Sequence, residues 1–171
     1  MKRIGILSDT HGFLHERLFV FFEAVDEIWH AGDFGSVEVA NQLAAFTNLK
    51  GVYGNIDGED IRIAYPLHQR FNCENVDVWM THIGGYPGRY ERIVKPEIID
   101  NPPKLFISGH SHILKVIYDK KLDLLHVNPG AAGLQGFHKV STAVRLVIDG
   151  NDIRDLEVWE YLKPTRIINH N

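Results

Sequence analysis

The same punctuation recurs along the chain: a short apolar run, a glycine or other small residue, then a side chain able to donate a lone pair to a cation. RIGIL at 3–7 stops at Ser8-Asp9, EIWHAGD at 27–33 ends on Gly32-Asp33, and LKGVYGN at 49–55 ends on Gly54-Asn55. Between the first two runs Leu14, Leu18, Phe21, Phe22 and Val25 fall at helical spacing. Between the second two, Val39, Ala40, Leu43 and Ala44 do the same behind Ser36, a favoured helix cap. A βαβαβ order predicts a largely parallel sheet with right-handed crossovers. In such sheets sites form beyond the carboxyl ends of the strands, where these polar residues sit.

The second half reads as hairpins. HQRFN and VDVWMTH pair around Glu74-Asn75, the second strand ending at His82. IGGYPGRY follows, then a helical piece interrupted or restarted at Pro96. LFISGHSH brings a strand to Ser108-Gly109 and then to His110 and His112. LKVIYD and LDLLHV pair across Lys120-Lys121, and TAVRLVID and IRDLEVWE across Gly150-Asn151. No repeat or linker divides the 171 residues, so the expectation is one domain, 1–171, with a mixed sheet system and a single sizeable core.

Five strand ends therefore present Asp9 and His11, Asp33, Asn55, His82, and His110 and His112. Alone, Asp9 reads as a turn or cap and the histidines as loop residues. Together they form an oxygen-and-nitrogen set without thiolate, suited to Mn, Fe, Ni or Zn. Seven donors exceed one tetrahedral site and suit two adjacent ions sharing a carboxylate, spaced about 3.5–4 Å apart in two-metal phosphoryl-transfer sites.

DTHG, GDF, GNID, THIGG and GHSH resemble, in order and spacing, the signature blocks of the calcineurin-like metallophosphoesterases. The NPGA turn, Asn128 to Ala131, is shared with the compact bacterial and archaeal phosphodiesterase branch. The resemblance implies an α/β (α+β) sandwich: two packed mixed β-sheets flanked by helices, a four-layer αββα arrangement. It implies a first metal held by Asp9, His11, Asp33 and His112, and a second held by Asp33, Asn55, His82 and His110, with Asp33 bridging. Manganese is the leading choice, with nickel, iron or zinc as alternatives. A water acidified by the two cations would be the nucleophile, and Asn55 could also contact phosphate.

The chain departs from the superfamily pattern at two places. Many of the phosphatases carry a proton-donating histidine after the asparagine of their G-N-H block; here Ile56 stands there and cannot transfer a proton. That favours diesters, particularly those with good leaving groups, over monoesters or phosphoproteins. Ile83 stands where many relatives have glycine. Asp57 is expected in a supporting or turn role.

The remaining histidines are read blandly: His30 as a hydrogen-bonded strand residue, His15 and His68 as surface, His126 as structural, His170 as tail. His138 sits in a loop that could reach substrate, as could Tyr86, Arg89 and Tyr90. Trp29, Trp79 and Trp159 are assigned to the core, and Cys73 to a buried strand position. The formal charge of −4 argues against a non-specific nucleic-acid binder. No apolar stretch is long enough to cross a bilayer, MKRIGILSDTHG reaches Asp9 too soon for a signal peptide, and one cysteine suits a reducing cytosol. The expectation is a cytoplasmic hydrolase acting on a small phosphodiester, with homo-oligomerisation open. A scaffold protein on the same fold is the alternative from another class.

Overall fold

The computed structural model describes residues 1–164; His170 lies outside them. Two five-stranded sheets face one another. The first has the order β12-β11-β1-β2-β3, built from β1 (Lys2–Leu7), β2 (Glu27–His30), β3 (Asn48–Gly51), β11 (Val140–Asp149) and β12 (Asp152–Leu162). β1, β2 and β3 run parallel, as the βαβαβ pattern predicts, while the long β11–β12 hairpin adds to β1 antiparallel. The second sheet has the order β4-β5-β8-β10-β9, formed by β4 (His68–Cys73), β5 (Val76–Thr81), β8 (Leu105–Ile107), β9 (Leu114–Asp119) and β10 (Leu124–Pro129). Its β5, β8 and β10 are parallel and its edges antiparallel, so both sheets are mixed.

Alternation along the strands assembles the layers. Ile4, Ile6 and Trp29 of the first sheet, with Val52 just beyond β3, meet Val78, Met80, Ile107 and Val127 of the second in one buried cluster. Leu7 and Ile28 point the other way, toward Leu18 of α1 (Glu16–Phe21), Leu43 of α2 (Val37–Phe46) and Ile61 of α3 (Glu59–Ala64). On the far side of the second sheet Trp79, Phe106 and Leu124 pack against Ile98 of α4 (Lys95–Asp100). The result is the expected αββα order. Ser36 caps α2, its hydroxyl oxygen accepting from the Val39 N–H at 3.4 Å.

Local differences have local causes. α1 ends at Phe21, with the Phe22 N–H turning back onto the Leu18 and Val20 carbonyls. α3 is one short element with a single buried residue, Ile61. The IGGYPGRY segment folds into a small hairpin, β6 (Gly85–Tyr86) with β7 (Arg89–Tyr90). His15 and His68 are half-buried rather than surface residues. His15 caps α1 and lies 3.9 Å, centroid to centroid, from Tyr161; His68 stands edge-on to Trp79. Trp29 and Trp79 are buried, Trp159 is partly so, and Cys73 is a free buried thiol.

Candidate metal centre

The loops following β1, β2, β3, β5 and β8 meet where the two sheets present their carboxyl ends. Three backbone bonds stitch them together: the Asp9 N–H to the Gly32 carbonyl at 2.9 Å, the His11 N–H to the Asp33 carbonyl at 3.1 Å, and the Gly109 N–H to the His82 carbonyl at 2.9 Å. Such close approach requires small residues. A Cβ on Gly54 would lie 1.8 Å from Asp33 Oδ1, and one on Gly109 would lie 2.1 Å from Ser8 Oγ.

All seven predicted donors face the same region. Asp33 Oδ1 is 3.3 Å from His82 Nε2, and its Oδ2 is 3.6 Å from His11 Nε2. Asp9 Oδ1 is 3.2 Å from His112 Nε2 and 3.9 Å from both His11 Nε2 and His82 Nε2. Asn55 Oδ1 lies 2.9 Å from His110 Nδ1 and 3.1 Å from His82 Nε2. Two compact donor groups emerge, Asp9–His11–His112 and Asp9–Asp33–His82. Both contain Asp9, so Asp9 is as central to the geometry as Asp33.

The donors are held in place by hydrogen bonds that leave their free lone pairs inward. The Ser8 hydroxyl and the His110 N–H both bind Asp9 Oδ2, at 2.7 and 3.1 Å. Asp9 Oδ1 remains buried with no hydrogen-bond partner. The His82 Nδ1–H donates to the Ala31 carbonyl at 2.8 Å, which fixes the ring orientation and aims Nε2 at Asp33 and Asn55. Asp57 accepts from the Phe34, Gly35 and Gly54 N–H groups, at 3.1, 2.8 and 2.8 Å, tying the Asp33 loop to the Asn55 loop. The Ile56 N–H donates to Asp33 Oδ1 at 3.1 Å, so this position contributes its backbone.

Electrostatics follow from this crowding. Burial opposes protonation of His82, but its hydrogen bond to Asp33 and the charges of Asp9 and Asp33 outweigh that and hold its pKa above the ordinary value. Burial likewise opposes ionisation of Asp33, yet His82 and the Ile56 N–H hold its carboxyl below the usual range. Burial pushes His11 down, against the pull of Asp33 and Asp9. A pocket this rich in inward lone pairs attracts a proton or a cation. The ring nitrogens of His11 and His112 stand 3.3 Å apart, beside an unpartnered carboxylate oxygen, and that donor set fits a divalent metal ion.

Other sequence expectations resolve individually. His30 is fully buried: the Gly32 N–H donates to its Nδ1 at 3.1 Å and its Nε2–H to Thr10 Oγ1 at 2.9 Å. Burial pushes its pKa down to about 3, so it is a neutral structural residue, as expected. The Tyr90 hydroxyl donates to Asp119 at 2.7 Å, a structural role. Arg89 and His138 are exposed. Arg62 donates to the Asp57 and Asn55 carbonyls, at 2.7 and 3.2 Å, and anchors the Asn55 loop while lying over the Tyr53 ring. No spacing signal marks it, because its targets are backbone atoms.

A two-sheet sandwich with carboxylates, imidazoles and an amide gathered at its strand ends defines a metal-dependent phosphoesterase class. Residues 1–151 match the calcineurin-like phosphoesterase superfamily domain, and the chain belongs to that superfamily. It is 29% identical over 160 residues, 91% of this chain and 90% of the relative, to a probable metallophosphoesterase of Methanothermobacter thermautotrophicus. A solved structure of an archaeal phosphodiesterase superposes with TM-score 0.69 at 24% identity, covering 92% of this chain and 99% of that one. Zinc-complexed Vps29 of Entamoeba histolytica superposes with TM-score 0.70 at 14% identity, covering 94% and 98%. Among the described residues no helix is long and apolar enough to cross a membrane.

Proposed function

We propose that the chain is a phosphodiesterase, a single domain across its length. Its seven donors hold two divalent cations: Asp9, His11, Asp33 and His112 on one side, Asp33, Asn55, His82 and His110 on the other. The observation that carries this is the convergence of seven donors on a region where Asp9 Oδ1 is buried and unpartnered. Support for Asp33 as the bridge is that its two oxygens address different imidazoles, His82 and His11. Divalent cations, when bound, supply Lewis acidity, lowering the pKa of water to about 7 and screening phosphate charge. The protein's share is positioning. Ala31 holds His82 in the tautomer that presents Nε2, and Ser8 with the His110 N–H turns Asp9 so that Oδ1 faces inward. Asn55 adds a donor oxygen without negative charge, leaving a pocket of two carboxylates that stays attractive to an anionic diester once two divalent ions are held.

The diester preference rests on Ile56. That side chain is 48% exposed and carries no proton to give a poor leaving group. A good leaving group needs no such help. Manganese, a cytoplasmic setting and a small diester substrate complete the reading. Chelator-treated protein should recover hydrolysis of bis(4-nitrophenyl) phosphate when Mn²⁺ is restored, and hydrolyse it faster than 4-nitrophenyl phosphate. No stimulation by any of Mn²⁺, Ni²⁺, Fe²⁺ or Zn²⁺, or a monoester preference, contradicts it.

A further inference from the structure

The Asn55 loop, the entry to β4 and the segment before α4 enclose a cleft of about 290 Å³ that borders the metal centre at Asn55 and His82. Its walls are mostly apolar, with Tyr53, Leu67, Ile83 and Ile93 among them. Ile93 is 64% exposed and Leu67 38%, and Ile83 is half-buried. A lone exposed aliphatic side chain needs no explanation. Three of them around one cleft, next to candidate metal ligands, mark a surface that binds something apolar. Ile83 comes directly after the ligand His82 and puts a branched side chain on the wall where glycine would leave none.

The polar groups of the walls narrow the chemistry. Arg62 directs Nε and Nη2 to the Asp57 and Asn55 carbonyls and lies 4.5 Å over the Tyr53 ring. The Thr81 hydroxyl donates to the Leu67 carbonyl at 3.2 Å. Burial lowers the pKa of His68 from its ordinary value, so that ring is mostly neutral at pH 7. Among the described residues no carboxylate lines the cleft. A cationic substituent therefore meets no counter-charge there, and a hydroxyl-rich one meets few partners. An apolar group gains by leaving water for apolar walls. Sites for drug-sized ligands begin near about 300 Å³, so this cleft suits a single ring rather than a larger body.

We infer that this cleft holds one substituent of the diester, an uncharged apolar group of about one ring in size, and that Ile83 and Ile93 select it. The inference rests on the phosphodiesterase reading above, in which the phosphate sits at the metals with an ester oxygen toward the adjoining cleft.

The test measures, by calorimetry on manganese-loaded protein, the binding of three phosphonates that share one anionic head: methyl, cyclohexyl and 2,3-dihydroxypropyl. Cyclohexylphosphonate should bind more tightly than methylphosphonate by on the order of tenfold, and the dihydroxypropyl compound no more tightly than methyl. Ile93→Ser and Ile83→Gly should each narrow the cyclohexyl-to-methyl ratio. Side chains with a merely structural role would weaken both compounds together and leave the ratio standing, which overturns the inference. Equal binding of the three by wild type, tightest binding of the dihydroxypropyl compound, or no binding of any overturns it too. A second readout uses zinc-loaded protein: the ¹³C methyl resonances of Ile83 and Ile93 should shift further with cyclohexylphosphonate than with methylphosphonate, and equal shifts contradict the assignment. Protein that shows the binding ratio but hydrolyses no diester would defeat the phosphodiesterase reading and leave the cleft assignment standing. Protein that hydrolyses bis(4-nitrophenyl) phosphate with a ratio of one would do the reverse.

Discussion

Two sets of loops in this molecule use the same unfavourable backbone conformation for different ends. Among the described residues, eight other than glycine hold positive φ: Asp9, His11, Asp33, His110 and His112, then Glu74, Asp123 and Asp155. The last three are exposed and sit where geometry demands a tight reversal or irregularity. Glu74 lies in the two-residue link between Cys73 and Val76, and Asp155 opposite the register shift in the β11–β12 pair. The first five are all candidate ligands, and Asp9 and Asp33 are buried. A left-handed non-glycine residue costs about 1–3 kcal/mol, and glycine would remove that cost at every one of these positions. At the strand ends the side chain itself is wanted, so the strain is retained by a web of inter-loop hydrogen bonds.

The sharpest way to break this contrast is Asp33→Asn. Replacing one anionic oxygen of a shared ligand should lower metal affinity and turnover by more than about 100-fold, exceeding the 10–100-fold typical of outer partners. Metal titration and a diester assay check it; full activity would remove Asp33 from the centre.

Gly54→Ala probes the packing that places the ligand. Its Cβ would fall 1.8 Å from Asp33 Oδ1. Metal affinity should fall about 10–100-fold while the far-ultraviolet circular dichroism stays that of the wild type.

Acid should weaken the fold through the two neutral buried histidines. Unfolded histidine titrates near 6.5, whereas His30 and His126 titrate at about 3 and about 4 in the fold. Below pH 6.5 the unfolded chain binds protons that the native chain refuses, so stability rises with pH through this window. Each should cost about 2 kcal/mol between pH 7 and pH 5. In chelator-treated protein, urea midpoints of wild type and His126→Phe at the two pH values should show the variant losing less.

The smallest effect is expected at a hairpin. Glu74→Gly relieves the same strain without touching the site, offset by loss of an exposed ion pair, 3.1 Å, with the Met1 amino group. Stability should rise by about 0.5 kcal/mol with metal binding unchanged. His110→Gly relieves equal strain and should lose metal.

The sequence made legible what is local. A glycine or other small residue followed by a donor marked every strand end in the centre, and apolar residues interleaved with charged ones marked the β11–β12 hairpin. α3 escaped because six residues with one buried side chain, Ile61, show no helical period. The β6–β7 hairpin escaped because its strands are two residues each. His126 reads as one more alternating residue of β10; that its ring is fully buried without a hydrogen-bond partner depends on packing that the local sequence does not show. His15 looks like a surface residue because the ring beside it, Tyr161, lies far away in sequence, and His68 because the ring edge-on to it, Trp79, belongs to the neighbouring strand.

Metal stoichiometry tests the central claim most directly, by elemental analysis of protein equilibrated with Mn²⁺ and freed of excess. Two ions per chain are predicted for the wild type, and one each for His112→Ala and His110→Ala, since those side chains serve different ions. A wild type that takes up one ion or none, or variants that both keep two, would contradict the dinuclear account.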